Sequence, residues 1–334
     1  MAKFKVLTID GGGIKGLYSA TILRLMEEAL QKNNPEAHLV DYVDMICGTS
    51  TGGLIALALA LKVPARTVCE FYEKDGQKIF HGSQSLWAML RQLFWGGKFS
   101  DQALRKALVD MYQGKTIGDS QCLLCIPTFN FTHGTYGIFK YDHKEGNLMR
   151  DNQLPMVDVA LATSAAPTFF PLAQIKLRND AQYVDGGVWA NNPSLIGFTE
   201  AMRYFVGEGK AFDCLHLLSI ASLNPRMGHP PLLKRRRSFV QWRSDLFEVG
   251  LIGQSEFADV FLNFWEAQKK SPLIYKRIPG PEICGNQVGY IQLDLATPQS
   301  FALMKQFAET AYFQVRMDEK ITGFFQEPKL YKVK

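Results

Sequence analysis

Residues Gly48-Thr49-Ser50-Thr51-Gly52 set a serine between glycines at the spacing G-x-S-x-G, a pattern suited to a nucleophilic hydroxyl. Such a serine sits on a sharp strand-to-helix turn, clear of the sheet and beside the unpaired N–H groups that open the helix. The flanking Gly48 and Gly52 leave room for neighbouring backbone to come close. Asp185, ahead of Gly186 and Gly187, is an aspartate at a strand end, where a general base can be presented. The third stretch, Asp10-Gly11-Gly12-Gly13-Ile14-Lys15-Gly16, is a glycine loop between a strand and a helix, the geometry of an anion site. It permits two chemistries. The N–H groups of Gly12 and Gly13 can face the oxygen that turns negative when Ser50 attacks an ester. Alternatively, Gly11, Gly13 and Gly16 satisfy the dinucleotide spacing G-x-G-x-x-G. That second reading wants an acid ending a second strand about 20 residues on, and the acids there, Glu27 and Glu28, fall inside the expected first helix. Each stretch alone also fits an ordinary tight turn. A serine hydrolase and a nucleotide-binding regulatory protein using the glycine loop both remain open at this point.

These residues need a frame to bring them together. Apolar runs at 4–9, 42–47, 122–131, 136–141, 183–184 and 215–220 read as strands, with 122–131 and 136–141 forming a hairpin. Helical spacing covers 17–32, 54–61, 65–80, 157–163 and 245–268, and most of 300–325. Ser100-Asp101 caps a helix running to about Gln113. Residues 274–278 and 290–293 read as further strands. Strands alternating with helices give an α/β fold. No repeat, low-complexity tract or long linker divides the chain, so one domain is expected. Residues 1–222 form its catalytic core. Residues 223–334 continue it as a candidate regulatory or membrane-contacting surface. The aromatic stretch Leu86–Trp95 suits core packing, a lid or a membrane-contacting helix. Lys234–Arg237, near Phe239 and Trp242, reads as a solvated cluster or a phosphate-facing or membrane-facing patch.

Hydrophobic content of 47% and charged content of 21% in 334 residues are globular values and exclude wholesale disorder. The net charge of +5 is too modest to argue for a nucleic-acid polymer and equally suits an anionic membrane surface. No run of 18 apolar residues occurs, so no membrane span is expected. The N-terminus leads directly into a strand without a signal-peptide pattern. A cytoplasmic protein acting peripherally at a membrane is the expectation. Cys122-Leu-Leu-Cys125 has metal-like spacing but lies in an apolar strand with no second pair, so neither a metal nor a cofactor is expected.

The three glycine-bearing stretches, with Thr163-Ser-Ala-Ala-Pro167 and Ala190-Asn-Asn-Pro193 in the same order, closely resemble the patatin-like phospholipases, up to about residue 220. The resemblance implies a three-layer α/β/α sandwich. It makes Ser50 the nucleophile of a Ser-Asp dyad, Asp185 its partner, and Gly11, Gly12 and Gly13 the oxyanion loop. It requires no catalytic histidine. Of the histidines at 38, 81, 133, 143, 216 and 229, His216 reads as packed in a strand and His229 alone stands where a hydrolase histidine could. Lys15 stands where many relatives carry arginine, and Tyr275–Ile278 carries nothing diagnostic. The implied reaction is fatty-acid release from membrane glycerophospholipids through an acyl-enzyme. The alternative is an acyl hydrolase or transferase acting on soluble esters. Compact bacterial members resemble antiphage effectors switched on by a cyclic dinucleotide. That implies such an activator here, with 81–100 or 234–237 as candidate contacts, and leaves a homo-oligomer open. Ser50 and Asp185 are 135 positions apart (185 minus 50), so only the fold can pair them.

Overall fold

The apolar segment Phe4–Ile9 becomes the innermost part of a mixed sheet because both of its faces are covered. A computed structural model describes residues 1–80, 99–223, 235–236, 245–283 and 285–333. Its sheet contains β1 (Lys3–Ile9), β2 (Met45–Gly48), β3 (Leu123–Asn130), β4 (Thr135–Lys140), β5 (Ala173–Ile175), β6 (Ala181–Asp185), β7 (Cys214–Ile220) and β8 (Leu273–Ile278). The run β3-β2-β1-β7-β8 is parallel, while β4, β5 and β6 pair antiparallel with their neighbours. Parallel strands buried on both faces read as continuous apolar runs, which is why 4–9 and 215–220 were legible.

Side chains on β1 alternate between two helical layers. Phe4 stacks on Phe205 at 4.6 Å and Thr8 Oγ1 lies 2.7 Å from Ser194 Oγ, so the even positions face helix Ser194–Tyr204. Leu7 and Ile9 are fully buried and face the other way. Helices Gly16–Gln31, Thr51–Ala60 and Pro298–Val315 form that second layer. A central sheet flanked by helices on both faces results, in a single α/β domain. Fully burying a side chain of this size contributes roughly 1.5–3 kcal/mol. Helix Thr51–Ala60 is buried at every residue, and so its sequence is apolar on all sides.

The sheet registers already bring the candidate residues together. β4 lines one edge of β3, and β2 and β6 meet end to end along the other. Cys47 pairs with Cys125 and Asp185 with Thr128. Three residues past Cys47 is Ser50, and three past Cys125 is Thr128, so Asp185 comes level with Ser50.

Several expectations shift. Residues 290–293 form no strand; Leu293 instead turns its carbonyl to accept the Ile14 N–H at 3.0 Å. The C-terminal helical stretch is two helices, Pro298–Val315 and Glu319–Phe324, with Asp318 capping the second through the Lys320 N–H at 2.9 Å. Helix Ser194–Tyr204 and the short β5 were not anticipated. Cys122 and Cys125 are buried free thiols of the sheet, with burial pushing the Cys122 thiol up to about 12. The stretch 86–95, and Lys234 and Arg237 with their aromatic neighbours, lie outside the described residues; Arg235 and Arg236 are exposed.

One buried ion pair ties the end of β1 to β8. Arg277 Nη1 and Nη2 donate to Asp10 Oδ1 and Oδ2 at 3.1 and 2.5 Å, and Nη1 also donates to Ser219 Oγ at 2.6 Å. Asp10 is fully buried. Burial works against the guanidinium charge, but the adjacent carboxylate outweighs it and holds Arg277 protonated. Removing one member strands the other charge in the interior, a loss of about 3–5 kcal/mol. Arg277→Met is therefore expected to lower the urea midpoint sharply, and Asp10→Asn combined with Arg277→Met to recover most of the loss. A wild-type midpoint for Arg277→Met would show that the pair is not the clamp.

Candidate active site

Ser50 stands between β2 and helix Thr51–Ala60 with φ 54° and ψ −124°, a backbone state that costs a non-glycine residue on the order of 1–3 kcal/mol. The surroundings hold it there. Its N–H donates to Thr163 Oγ1 at 3.1 Å, and Thr163 Oγ1 donates in turn to the Pro127 carbonyl at 2.6 Å. The Ser50 carbonyl accepts from the Leu54 N–H at 3.1 Å, which starts the helix. The tight passage also fixes Gly52, where a Cβ would lie 2.2 Å from the Ile9 carbonyl oxygen. Only glycine allows the turn to press against β1 so closely.

Ser50 Oγ donates to Asp185 Oδ2 at 2.6 Å. Asp185 Oδ1 accepts the Gly187 N–H at 2.6 Å, and the Asp185 N–H donates to the Ala165 carbonyl at 2.9 Å. The aspartate is 2% exposed, and no cation pairs with it among the described residues. Burial pushes its carboxyl up to about 7, against the opposing pull of the Ser50 and Gly187 hydrogen bonds. A carboxylate with that affinity for protons is matched to base catalysis near neutral pH.

The glycine loop divides its N–H groups. Gly11 donates to the Asn191 carbonyl at 3.0 Å and Ile14 to the Leu293 carbonyl at 3.0 Å. The N–H groups of Gly12 and Gly13 have no protein acceptor among the described residues. The expected oxyanion trio thus loses Gly11 as a donor: its N–H is spent on positioning the loop. Gly13 has φ +58°, and a Cβ there would lie 2.3 Å from the Leu293 oxygen, so the loop requires glycine for both reasons. The dinucleotide reading loses its acid as well. Glu27 accepts the Leu39 and Ala65 N–H groups at 3.2 and 2.7 Å, and Glu28 pairs with Arg24 and Arg66. Lys15 is buried beside the loop, and burial lowers its ammonium to about 8 against the opposing effect of Glu248.

Gly12, Gly13, Ser50 and Asp185 all border one cleft of about 740 Å³, part of it open to solvent. Its other walls are apolar, with Leu54, Phe71, Ile79, Phe80, Phe169 and Phe170 among them. The rings of Phe80 and Phe170 each lie 5.7 Å from Phe99. Such a trough suits a hydrocarbon chain beside a nucleophile. No histidine borders the cleft among the described residues. His143 contacts Glu200 at 3.1 Å. His216 packs on Phe324, and burial lowers it to about 4, so it stays neutral. His81 and His229 lie outside the described residues.

Four residues that hold the site went unrecognised in the sequence. Besides Arg277, they are Asn191, Gln254 and Ser255. The Asn191 carbonyl fixes Gly11, and its side-chain Nδ2 donates to Ser255 Oγ at 3.0 Å. Gln254 Nε2 donates to the Val188 carbonyl at 3.0 Å and its Oε1 accepts the Asn191 N–H at 3.3 Å. Helix Asp245–Glu266 thereby clamps the turn that follows Asp185. Only Asn191 had a signal, as part of Ala190–Pro193.

The family model for patatin-like phospholipase matches residues 7–196. A cGAMP-activated phospholipase of Pseudomonas aeruginosa is 34% identical over 260 residues, covering 78% of this chain and 74% of the relative. A cGAMP-activated phospholipase of Vibrio cholerae is 35% identical over 239 residues, covering 68% and 66%. Patatin-like protein 2 of rice (Oryza sativa subsp. indica) is 35% identical over 233 residues, and this chain spans 55% of its length.

The raised carboxyl of Asp185 has a consequence for stability. Unfolded, an aspartate titrates at about 3.9; folded, this one titrates at about 7. Between those values the folded state holds more protons, so stability falls as pH rises through that window and levels off above it. Asp185→Asn carries no such penalty. Its melting temperature relative to wild type is expected to be higher at pH 8 than at pH 4. A pH-independent difference would contradict a desolvated carboxyl.

Proposed function

The chain belongs to the patatin-like phospholipase family, and from that premise we propose that it releases fatty acids from membrane glycerophospholipids, with Ser50 as nucleophile and Asp185 as base. The observation that carries this reading is the 2.6 Å contact between Ser50 Oγ and Asp185 Oδ2 at the edge of an apolar cleft. A serine hydroxyl is a weak nucleophile until a base takes its proton. As Ser50 Oγ attacks the ester carbonyl carbon, that proton passes to Asp185. The carbonyl oxygen takes up negative charge facing the N–H groups of Gly12 and Gly13 and the positive end of helix Thr51–Ala60. The intermediate collapses, the alcohol oxygen departs with the proton from Asp185, and the acyl group stays on Ser50. Water then gives a proton to Asp185 as its oxygen attacks the acyl carbon. Collapse frees the fatty acid and returns a proton to Ser50. The apolar cleft contributes positioning.

Two relatives carry cGAMP activation in their names, and a cyclic dinucleotide is accordingly the proposed switch, in an antiviral role. No described helix is long and apolar enough to cross a membrane; the net charge of +5 favours an anionic bilayer, which supports peripheral action at its surface.

Fatty-acid release from phospholipid vesicles, with and without cGAMP, tests the reading. Wild type is expected to release fatty acid when cGAMP is present, and Ser50→Ala and Asp185→Asn to lose on the order of 10³-fold or more. Equal release by all three proteins would remove the dyad. Hydrolysis confined to a soluble thioester would move the substrate class to soluble esters. Because the base must be ionised, kcat/KM is expected to fall about tenfold per unit below a pH of about 7 and to level off above it. A profile flat to pH 5 would exclude Asp185 as the titrating base.

A further inference from the structure

Helix Asp245–Glu266 carries different chemistry on its two faces. Leu251 lines the cleft, and Gln254 and Ser255 bind the turn after Asp185. Ala258 and Leu262 are buried below them. On the opposite side Val249, Phe257, Val260 and Phe264 are 62%, 65%, 66% and 63% exposed. Their spacing lays them in one strip along the helix. Trp265, 37% exposed, lies off the strip on the flank toward helix Ser194–Tyr204, stacked on Phe261 at 6.0 Å and edge-on to Phe198 at 5.5 Å.

The placement of charge reinforces the division. Asp259 accepts the Tyr275 hydroxyl at 2.8 Å, and Glu266 accepts from Lys320 Nζ at 2.6 Å and the Tyr275 N–H at 2.8 Å. These acids are engaged on the side facing β8, away from the strip. Glu256 is the one exposed acid among the strip residues. Lys269 and Lys270, both exposed, follow immediately beyond the helix end.

We propose that this outer strip is the surface by which the protein docks on an anionic phospholipid bilayer. The proposal rests on the lipid-hydrolase reading above and names the part of the molecule that meets the substrate surface. Aromatic and branched side chains on one helical face partition into the headgroup boundary, and nearby lysines add attraction to anionic lipid. The strip and Leu251, which lies on the cleft wall, occupy opposite faces of this one helix, so docking there holds the helix that walls the acyl trough against the bilayer. A second copy of the chain is a poorer occupant. A standard protein interface takes ~800 Å² from each partner, more than the four side chains of this strip supply.

The test uses the full chain with equimolar phosphatidylethanolamine and phosphatidylglycerol vesicles, with and without cGAMP. Phe257→Ser combined with Phe264→Ser is compared with Phe257→Leu combined with Phe264→Leu. The serine pair is expected to lose roughly tenfold or more in co-sedimentation, since two aromatic anchors leave the lipid. The leucine pair is expected to keep most of it. Both should hydrolyse a soluble short-chain nitrophenyl ester at the wild-type rate, which also reports correct folding. Wild-type vesicle binding by the serine pair, or no vesicle binding by wild type under either condition, would overturn the proposal. So would a wild-type dimer that the serine pair dissociates while vesicle binding persists, which assigns the strip to a second copy. Ester hydrolysis absent from every protein, with vesicle binding still lost in the serine pair, would sink the catalytic reading and leave the docking surface standing.

Discussion

A carboxylate buried with no cation paired to it among the described residues is the constraint around which this molecule is arranged. Asp185 is 2% exposed, and its strongest side-chain partner is the Ser50 hydroxyl at 2.6 Å. Taking such a group out of water costs several kcal/mol, and the Gly187 N–H on its other oxygen offsets only part of that. What remains appears as a carboxyl raised to about 7. The same desolvation that weakens the fold raises the basicity of the aspartate proposed to serve Ser50. Ser50 adds its own strain, with a positive φ held by the relay through Thr163 to Pro127. Both costs are met by a frame of parallel strands buried on two faces.

The glycine loop shows how far that frame reaches. It belongs to the first 16 residues, yet three distant segments hold it. Arg277 on β8 grips Asp10, the Asn191 carbonyl takes the Gly11 N–H, and the Leu293 carbonyl takes the Ile14 N–H. Helix Asp245–Glu266 fixes Asn191 in turn through Gln254 and Ser255. The C-terminal third therefore completes the site, though it supplies none of the residues in the chemical steps proposed here. Using Gly11 for anchoring leaves Gly12 and Gly13, which border the cleft, as the proposed donors.

The division between legible and illegible residues follows from the range of the forces involved. Gly48, Ser50 and Gly52 were readable because a sharp strand-to-helix turn dictates its residue types locally. So was Asp185, at the end of a strand and before two glycines. Strands β1 and β7 showed as apolar runs because both their faces are covered. Arg277 had no such signal: an arginine in an exposed strand and one clamping Asp10 look alike until β8 is set beside β7. Gln254 and Ser255 were hidden similarly, as polar residues in a helix whose partner turn lies more than 60 positions earlier. Residues 290–293 alternate like a strand, but their backbone is drawn to the glycine loop and never pairs with the sheet. The role of Gly11 was misjudged for a related reason. The sequence reveals that glycine is needed, and only the neighbours reveal whether its N–H is free.

The aspartate proposed as base also ties reactivity to what fills the apolar cleft. Part of the 740 Å³ beside Ser50 and Asp185 is open to solvent, and the 2% of Asp185 that stays exposed borders it. An acyl chain against Leu54, Phe71 and Phe170 displaces that solvent. In the proposed mechanism the carboxylate then loses its residual solvation and gains basicity as the ester carbonyl reaches Ser50. The gain is bounded, because a carboxyl pushed much above the ambient pH is mostly protonated and cannot accept the serine proton. A resting value of about 7 leaves a sizeable ionised fraction before substrate arrives and room for basicity to rise afterwards. A short, water-soluble ester fills less of the trough and gains less from this effect. Under the proposed mechanism, a preference for long-chain lipid follows from the burial of Asp185 together with the walls of the cleft.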